Sequence, residues 1–293
     1  MAEPLRLLTV HAHPDDESSK GASTVALYAA EGIPATLVCC TGGEAGDILN
    51  PAMDRREVHE RLAEVRMEEL AEAAKIIGYE TVDLLGYHDS GMPDSDDNAR
   101  PDNFWNADLD EAIGRLVAII RRDRPQVIVT YGDDQKHYAH PDHLRVHDIS
   151  LPAFDRAGDP DWYPEAGASW QPLKLYYTVW SRQRMIAVHE KFIELGLDSP
   201  FGDDWQERFK DDSGDGRITT QVPIGGYYDV RERALLAHAT QIDPTSPFWF
   251  GLPSEVASEV HPWDDYELAR SLVDSASPEN DLFAGVPGRD QSR

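Results

Sequence analysis

Short apolar runs alternate with amphipathic segments along the first half of this chain. Continuous apolar runs, typical of buried strands, occupy Leu5 to His11, Ala35 to Thr41, Val82 to Leu85 and Gln126 to Tyr131. Helical spacing of apolar residues occupies Glu17 to Glu31, Arg55 to Ile77 and Asp108 to Arg122. A further helix is predicted to begin near Pro141, because proline favours the first helical turn. This alternation predicts an α/β fold with a mostly parallel, Rossmann-like three-layer sheet and helices on both faces.

The second half of the chain is less regular. We expect a strand over Leu173 to Val179, helices over Met185 to Leu195 and Val230 to Thr240, and an exposed acidic loop over Asp203 to Gly216. The pattern divides one continuous domain into a catalytic part, residues 1–155, and a smaller irregular C-terminal part, residues 156–274, that completes the substrate cleft. Residues 275–293 are polar and contain Pro and Gly, and we expect a disordered tail there.

Charge and composition narrow the class of function. The chain has 54 acidic and 27 basic residues, a formal net charge of -27, and such a surface repels nucleic acid and anionic lipid. No run approaches the roughly 18 apolar residues of a spanning helix. The two cysteines, Cys39 and Cys40, are neighbours that point to opposite faces of a strand, so a disulfide between them is not expected. We expect a cytoplasmic enzyme with a small-molecule substrate and no obligate protein partner.

The turn after the first strand carries a candidate metal site. His13, Asp15 and Asp16 stand there, and imidazole with carboxylate is a normal ligand set for catalytic zinc, which keeps one position open. A second carboxylate beside that position is a ready general base. The alternative is that both aspartates cap the next helix. On this turn alone the two interpretations are equally supported.

A second cluster favours the metal site. Tyr138-Ala-His-Pro-Asp-His143 follows another predicted strand and supplies a third ligand from His140 or His143. Because ligands bind at the carboxyl edge of parallel strands, we expect both clusters to meet. Asp142 and His11 are candidates to orient the ligands, and His147 is an alternative ligand on the same helix face as His143. The chain lacks a dinucleotide fingerprint, a Walker A sequence and a Gly-x-Ser-x-Gly elbow.

These motifs resemble a known family. Ala-His-Pro-Asp-Asp-Glu at residues 12–17, with His-Pro-Asp-His at 140–143, is similar to the LmbE-like, or N-acetylglucosaminyl-phosphatidylinositol deacetylase-like, zinc hydrolases. Thr-Gly-Gly-Glu at 41–44, Asp-Ser-Gly-Met-Pro at 89–93 and His-Ala-Thr-Gln-Ile-Asp-Pro at 238–244 resemble the branch that acts on mycothiol S-conjugates. The similarity runs from about Leu5 to Leu272.

The resemblance implies site residues and a cofactor. One zinc ion, replaceable by Fe²⁺ in cells, would be bound by His13, Asp16 and His143. Asp15 would act as general base and then as general acid. His140 would stabilise the oxyanion with help from Tyr138, and the substrate would be bound by Lys20, Arg66 and Asp89.

The resemblance also implies the reaction. The enzyme would hydrolyse the amide of a mycothiol S-conjugate to an N-acetylcysteine S-conjugate and glucosaminyl-inositol, in detoxification. The alternative is deacetylation of an N-acetylglucosaminyl compound. A protein that binds metal without turnover is disfavoured, because it has no need of the free carboxylate of Asp15. Two segments depart from the branch, Glu44-Ala-Gly and Gly132 to Ala139, and both would border the substrate.

Overall fold

The computed structural model describes residues 3–133, 138–202 and 214–289, and its centre is one mixed sheet of seven strands. The strands are β1 (Leu7–His11), β2 (Ala35–Thr41), β3 (Thr81–Tyr87), β4 (Val127–Tyr131), β5 (Lys174–Val179), β6 (Thr220–Pro223) and β7 (Trp263–Ser271). Their order in the sheet is β3-β2-β1-β4-β5-β7-β6. The first five strands pair in parallel, whereas β7 pairs antiparallel with β5 and with β6.

Helices cover both faces of this sheet. They are α1 (Asp16–Ser19), α2 (Ala22–Ala30), α3 (Arg56–His59), α4 (Leu62–Ile77), α5 (Leu109–Asp123), α6 (Pro141–Ala157), α7 (Arg182–Glu194), α8 (Tyr228–Ala237), α9 (Pro247–Phe250) and α10 (Ser254–Val260). Side chains of α5 and α6 pack with Leu8 and Val10 on one face, and those of α2, α4 and α8 pack with Leu7 and Val129 on the other. The predicted three-layer α/β fold is confirmed.

The inner strands are buried along their whole length, which explains why their sequences are continuously apolar. Helix α5 begins after Asp108, whose side chain accepts a hydrogen bond from the Glu111 backbone amide at the helix start. Helix α6 begins at Pro141, as predicted, with His140 at its N-cap.

Two predicted helices are interrupted. The first breaks at Gly21, whose φ is +91° and where an added Cβ would lie 2.9 Å from the Tyr266 hydroxyl of β7. The second breaks between α3 and α4, so the predicted helix from Arg55 is two helices. The buried face of α4 carries the charged residues Arg66 and Glu69 beside Leu70 and Ala73. The apolar stripe was therefore only part of its inward face.

The C-terminal part continues the same sheet. Strands β6 and β7 were not predicted, since β7 reads Trp-Asp-Asp-Tyr-Glu-Leu-Ala-Arg-Ser and carries two buried aspartates. Their charges are satisfied by side chains far away in sequence: Asp264 accepts a hydrogen bond from Thr24, and Asp265 accepts from Ser181 and Gln221. Polar pairing of this kind leaves no apolar pattern. The predicted acidic loop falls largely on residues 203–213, outside the described residues.

The expectation of a disordered tail from Ser275 is wrong as far as Arg289. Leu282, Phe283 and Val286 are buried in the core beside Tyr28. The last four residues, 290–293, lie outside the described part of the chain. A buried ion pair anchors this polar segment: Lys174 Nζ lies 2.5 Å from Glu279 Oε1. No helix among the described residues is long and apolar enough to cross a membrane.

Candidate metal centre and active site

Three loops meet at the carboxyl ends of β1, β2 and β4. The Thr41 amide and hydroxyl both donate to the carbonyl of Ala12, each at 3.0 Å. On the other side of β1, the Tyr131 hydroxyl accepts from the Ala12 amide at 3.3 Å. These contacts bring the segment after β1 against the loops after β2 and β4, as parallel strand ends require.

His13, Asp16 and His143 converge there and could hold a metal ion. All three are buried. Asp16 Oδ2 lies 3.4 Å from His13 Nδ1 and 3.3 Å from His143 Nε2. Ligand atoms bound tetrahedrally to zinc at about 2.0–2.1 Å lie roughly 3.3 Å apart, so the spacing fits. His143 Nε2 is buried and makes no hydrogen bond, which leaves it free to bind a cation.

The protonation of His143 and Asp16 also suits a cation, whereas His13 has to release a proton to bind one. Burial lowers the pKa of His143 to about 4, so its ring is neutral at pH 7. Burial opposes the charge of Asp16, but Lys20, His143 and His13 outweigh it and hold the Asp16 pKa well below its ordinary value. A neutral imidazole and an ionised carboxylate are the forms that bind metal.

A second group of four side chains, His13, Asp89, His140 and Asp142, also offers ligand atoms within reach of one another. Its carboxylates already have donors: the Ser90 amide, at 2.9 Å, and the Ser90 hydroxyl bond Asp142, and the Gly91 amide bonds Asp89 at 2.8 Å. The first group, with its unpartnered nitrogen, is therefore the better metal site.

Asp142 lies behind His13, Asp16 and His143, which we call the metal group, and it orients His13. Its Oδ2 accepts from His13 Nε2 at 3.2 Å, which leaves His13 Nδ1 to face Asp16. Asp89 lies 3.5 Å from the same His13 nitrogen. Burial opposes the charge of His13, but the carboxylates of Asp89, Asp142 and Asp16 raise its pKa well above the ordinary value. Asp89, expected at the substrate, thus also contacts the metal group.

Asp15 stands beside the metal group on a strained backbone. Its φ is +113° and its ψ −26°, a conformation that residues other than glycine rarely adopt. The side chain is 28% exposed, whereas Asp16 is buried. Burial raises the pKa of the Asp15 carboxyl to about 6, against the opposing charge of Arg66. A carboxylate poised near neutral pH is suited to proton transfer.

Arg66, expected at the substrate, is buried under the two loops. It donates to the carbonyls of Gly43 and Pro14, each at 2.6 Å, and lies 3.2 Å from Asp15 Oδ2. Only Gly fits at position 43, since φ is +69° and an added Cβ would lie 2.4 Å from the guanidinium. The structure therefore places Arg66 where it fixes the loops and Asp15.

Glu17 and His238 form a wholly buried pair beneath Asp15. His238 Nε2 donates to Glu17 Oε1 at 2.7 Å, and the Asp15 amide donates to Glu17 Oε2 at 2.9 Å. His238 lies at the end of α8, which packs against α1 and α4. Sequence reasoning missed this contact, although Glu17 belongs to the first motif and His238 to the last.

His140 caps α6 with one of its two ring nitrogens. Its Nδ1 accepts from the Asp142 amide at 3.2 Å, so the proton of the neutral ring sits on Nε2. Burial, aided by the charge of His13, lowers the His140 pKa to about 4, so the ring stays neutral. The His140 and His13 rings lie 4.4 Å apart. A neutral imidazole with Nε2–H is a hydrogen-bond donor for a developing oxyanion.

Tyr138 lies over these histidines and faces solvent. Its ring centroid is 5.0 Å from that of His143, and the side chain is half exposed. His147 does not join the metal group, because its Nδ1 contacts the carbonyl of Tyr131. His11 is buried, with Nδ1 3.1 Å from the Tyr131 hydroxyl, and burial lowers its pKa to about 4. Tyr131 was missed, although it ends a predicted strand at this edge.

Lys20 joins the metal group to a neighbouring cleft. Its Nζ lies 2.5 Å from Asp16 Oδ1. The side chain also lines a shallow open cleft, whose other walls include Trp180, Arg184, Asp264 and Tyr266. The Trp180 ring lies parallel to that of Phe248 with centroids 5.9 Å apart, and the Arg184 guanidinium lies 5.1 Å over Trp180. An aromatic wall therefore begins one side chain away from the metal group.

Comparison with known proteins identifies the family of this chain. The family model described as GlcNAc-PI de-N-acetylase (PIG-L) matches residues 8–154. A mycothiol S-conjugate amidase of Streptomyces coelicolor is 46% identical over 98% of this chain and 99% of that protein. A 1D-myo-inositol 2-acetamido-2-deoxy-alpha-D-glucopyranoside deacetylase of Streptomyces avermitilis is 41% identical over 96% of this chain and 97% of that protein. The N,N'-diacetylchitobiose deacetylase of Pyrococcus horikoshii shares the fold, with a TM-score of 0.62 and 15% identity. The match covers 90% of this chain and 83% of that protein.

Proposed function

Because this chain belongs to the PIG-L (GlcNAc-PI de-N-acetylase) family, we propose that it is a zinc-dependent hydrolase that cleaves an amide bond on a small amino-sugar conjugate. The observation that carries the proposal is the convergence of His13, Asp16 and His143 with the carboxylate of Asp15 beside them. Bound zinc would polarise the amide carbonyl and acidify the attacking water. Fe²⁺ could replace zinc in cells, since both accept imidazole and carboxylate ligands.

The residues of the chain divide the remaining work. Asp15 takes a proton from the attacking water and then gives it to the leaving nitrogen. His140, neutral and protonated on Nε2, donates to the oxyanion, and Tyr138 closes over the same position. Asp142 holds His13 in the ring orientation that turns Nδ1 towards Asp16.

We further propose that the amide belongs to a mycothiol S-conjugate. Hydrolysis would give an N-acetylcysteine S-conjugate and glucosaminyl-inositol, a detoxification step. The more similar of the two curated relatives, itself a mycothiol S-conjugate amidase, supports this substrate. The aromatic pair formed by Trp180, in the wall of the cleft beside Lys20, and Phe248 supports it too, because these rings would contact an apolar group on sulfur.

The second candidate is deacetylation of N-acetylglucosaminyl-inositol. It is supported by the 41% identical deacetylase and by the identical demands of the two amides on Asp15 and His140. The two substrates differ only on the acyl side of the bond. Relative rates on the two amides therefore decide between the candidates.

The experiment measures turnover of both amides by one preparation of known metal content. Protein stripped by a chelator and reloaded with one equivalent of zinc is assayed with a fluorescent mycothiol S-conjugate and with N-acetylglucosaminyl-inositol. We expect a higher kcat/KM for the conjugate. The Asp15→Ala variant, which keeps the three metal ligands, is the control and should retain zinc without turnover. If the zinc-loaded enzyme hydrolyses neither amide, the proposed function is rejected.

A further inference from the structure

Asp15 occupies a backbone conformation that needs support from neighbouring groups. Among the described residues it is one of four other than glycine with a positive φ, and it alone of these lies at the metal group. At φ +113° and ψ −26° it lies outside the regions that a residue with a Cβ prefers. Such strain persists only when neighbouring groups hold it. The orientation of the carboxylate depends on this backbone.

Two buried side chains hold it, in addition to the Ser18 and Ser19 amides, which both donate to the Asp15 carbonyl at 3.1 Å. On one side Arg66 bonds the Pro14 carbonyl and lies 3.2 Å from Asp15 Oδ2. On the other side Glu17 Oε2 accepts from the Asp15 amide at 2.9 Å. The hydrogen bond from the Asp15 amide restrains φ, because φ is the rotation about the N–Cα bond of that same residue.

Glu17 is itself held by a residue 221 positions away. His238 Nε2 donates to Glu17 Oε1 at 2.7 Å, and the Ser18 hydroxyl donates to the same oxygen at 2.5 Å. His238 is in turn fixed at the end of α8, where its amide donates to Leu235 and its carbonyl accepts from Gln241 and Ile242. Neither member of the pair is exposed to solvent. Glu17 therefore has one orientation.

We propose that Glu17 and His238 are positioning residues that hold Asp15 in the orientation from which it transfers protons. The inference deepens the proposed function and rests on it, since that function gives Asp15 the proton transfer. Neither residue touches the substrate position: Glu17 acts through the Asp15 amide, and His238 acts through Glu17. The C-terminal part of the chain would thereby determine the activity of a base in the N-terminal motif.

Two variants of Glu17 separate positioning from charge. Glu17→Met removes the acceptor of the Asp15 amide, and displacement of a base by 1 Å costs about 100-fold, so we expect kcat to fall about 100-fold with KM little changed. Glu17→Gln keeps an acceptor oxygen, and the loss of one charge-assisted bond predicts a fall of no more than about tenfold. His238→Gln, which leaves Glu17 without its partner, should fall between the two.

A matched buried pair controls for stability. Glu279→Gln weakens the Lys174–Glu279 pair, which is equally buried but lies at the opposite, amino-terminal end of β5. It should lower the melting temperature and leave kcat unchanged. Zinc content is measured for every variant, and full loading must accompany the loss of kcat in Glu17→Met.

The decisive comparison is a double-mutant cycle with Asp15→Asn. If Glu17 acts through Asp15, adding Glu17→Met to Asp15→Asn causes no further loss of kcat. A loss that multiplies would overturn the proposal, as would wild-type kcat in a fully loaded Glu17→Met.

A second readout does not depend on turnover. Hydrogen exchange of the Asp15 amide, followed by NMR, should be at least about tenfold faster in Glu17→Met than in wild type, because a lost bond of about 1.4 kcal/mol is a factor of ten. Unchanged exchange would also overturn the proposal. If wild-type enzyme cleaves neither amide, the proposed function fails, and the exchange rate still tests the positioning.

Discussion

Replacing Glu279 tests whether the C-terminal segment is held by one buried ion pair. Glu279 Oε1 bonds Lys174 Nζ at 2.5 Å, and Oε2 accepts from the hydroxyls of Tyr176, at 2.5 Å, and Thr220, at 2.8 Å. The two charged side chains are 0% and 2% exposed. In Glu279→Ala the ammonium of Lys174 stays buried with the Ala284 carbonyl as its remaining partner.

The expected loss follows from that geometry. Breaking a buried pair from one side costs about 3–5 kcal/mol, a large share of a typical unfolding free energy of roughly 5–15 kcal/mol. At roughly 2 °C per kcal/mol for a chain of this size, the melting temperature should fall by about 6–10 °C. Lys174→Met should cost less, because Glu279 keeps its hydroxyl donors. Glu60→Ala, in the exposed Arg56–Glu60 pair, should cost less than about 1 kcal/mol.

The assay is urea unfolding of the three variants at pH 7, repeated at lower pH. Burial opposes the charge of Glu279, but Lys174, Ser275, Tyr176 and Thr220 outweigh it, so the Glu279 pKa is lowered. A lowered pKa contributes stability above the ordinary glutamate pKa of about 4.3, and that stability is lost as the pH falls through the lowered value. The difference between wild type and Glu279→Ala should shrink there. A loss at pH 7 no larger than that of Glu60→Ala would refute the reasoning.

Four further outcomes are expected. His140→Ala should lower kcat by about 100- to 1000-fold at unchanged zinc content, as measured by turnover and metal analysis. Arg66→Met leaves the buried Pro14 carbonyl without a donor, whereas the Gly43 carbonyl keeps the Gly46 amide, so the variant should be destabilised by about 1–3 kcal/mol in urea unfolding. Saturating zinc should raise the melting temperature of wild type and not of His143→Ala. The pKa of Asp265 is lowered because His261, Ser181 and Gln221 outweigh burial, so the stability lost in Asp265→Asn should be present at pH 7 and vanish as the pH falls below about 4.

The sequence was informative wherever burial and pattern coincide. Strands β1 and β4 lie in the middle of a parallel sheet, so both faces are buried and their sequences are apolar throughout. Because parallel strands end at one edge, His13 and His143 could be expected near each other although 130 residues separate them. That argument needs only strand ends and residue types.

Other parts of the site leave no local pattern. The contact between Glu17 and His238 joins helix α1 to the end of α8, and neither residue differs in sequence from an ordinary surface residue. Strand β7 was missed because Asp264 and Asp265 interrupt its apolar pattern, and their burial depends on partners such as Thr24 and Ser181. The burial of these polar residues depends on partners far away in sequence. Neither the composition nor the local sequence pattern shows such partners.

The anchoring of the C-terminal segment has a consequence for the order of assembly during synthesis. Strand β5 leaves the ribosome about a hundred residues before Glu279. Until Glu279 is synthesised, the Lys174 ammonium therefore stays solvated without this carboxylate. Domains generally fold as units as they are made. We expect the amino-terminal end of β5 to become fixed only when Glu279 has emerged. A nascent chain stopped before Glu279 should remain protease-sensitive along β5.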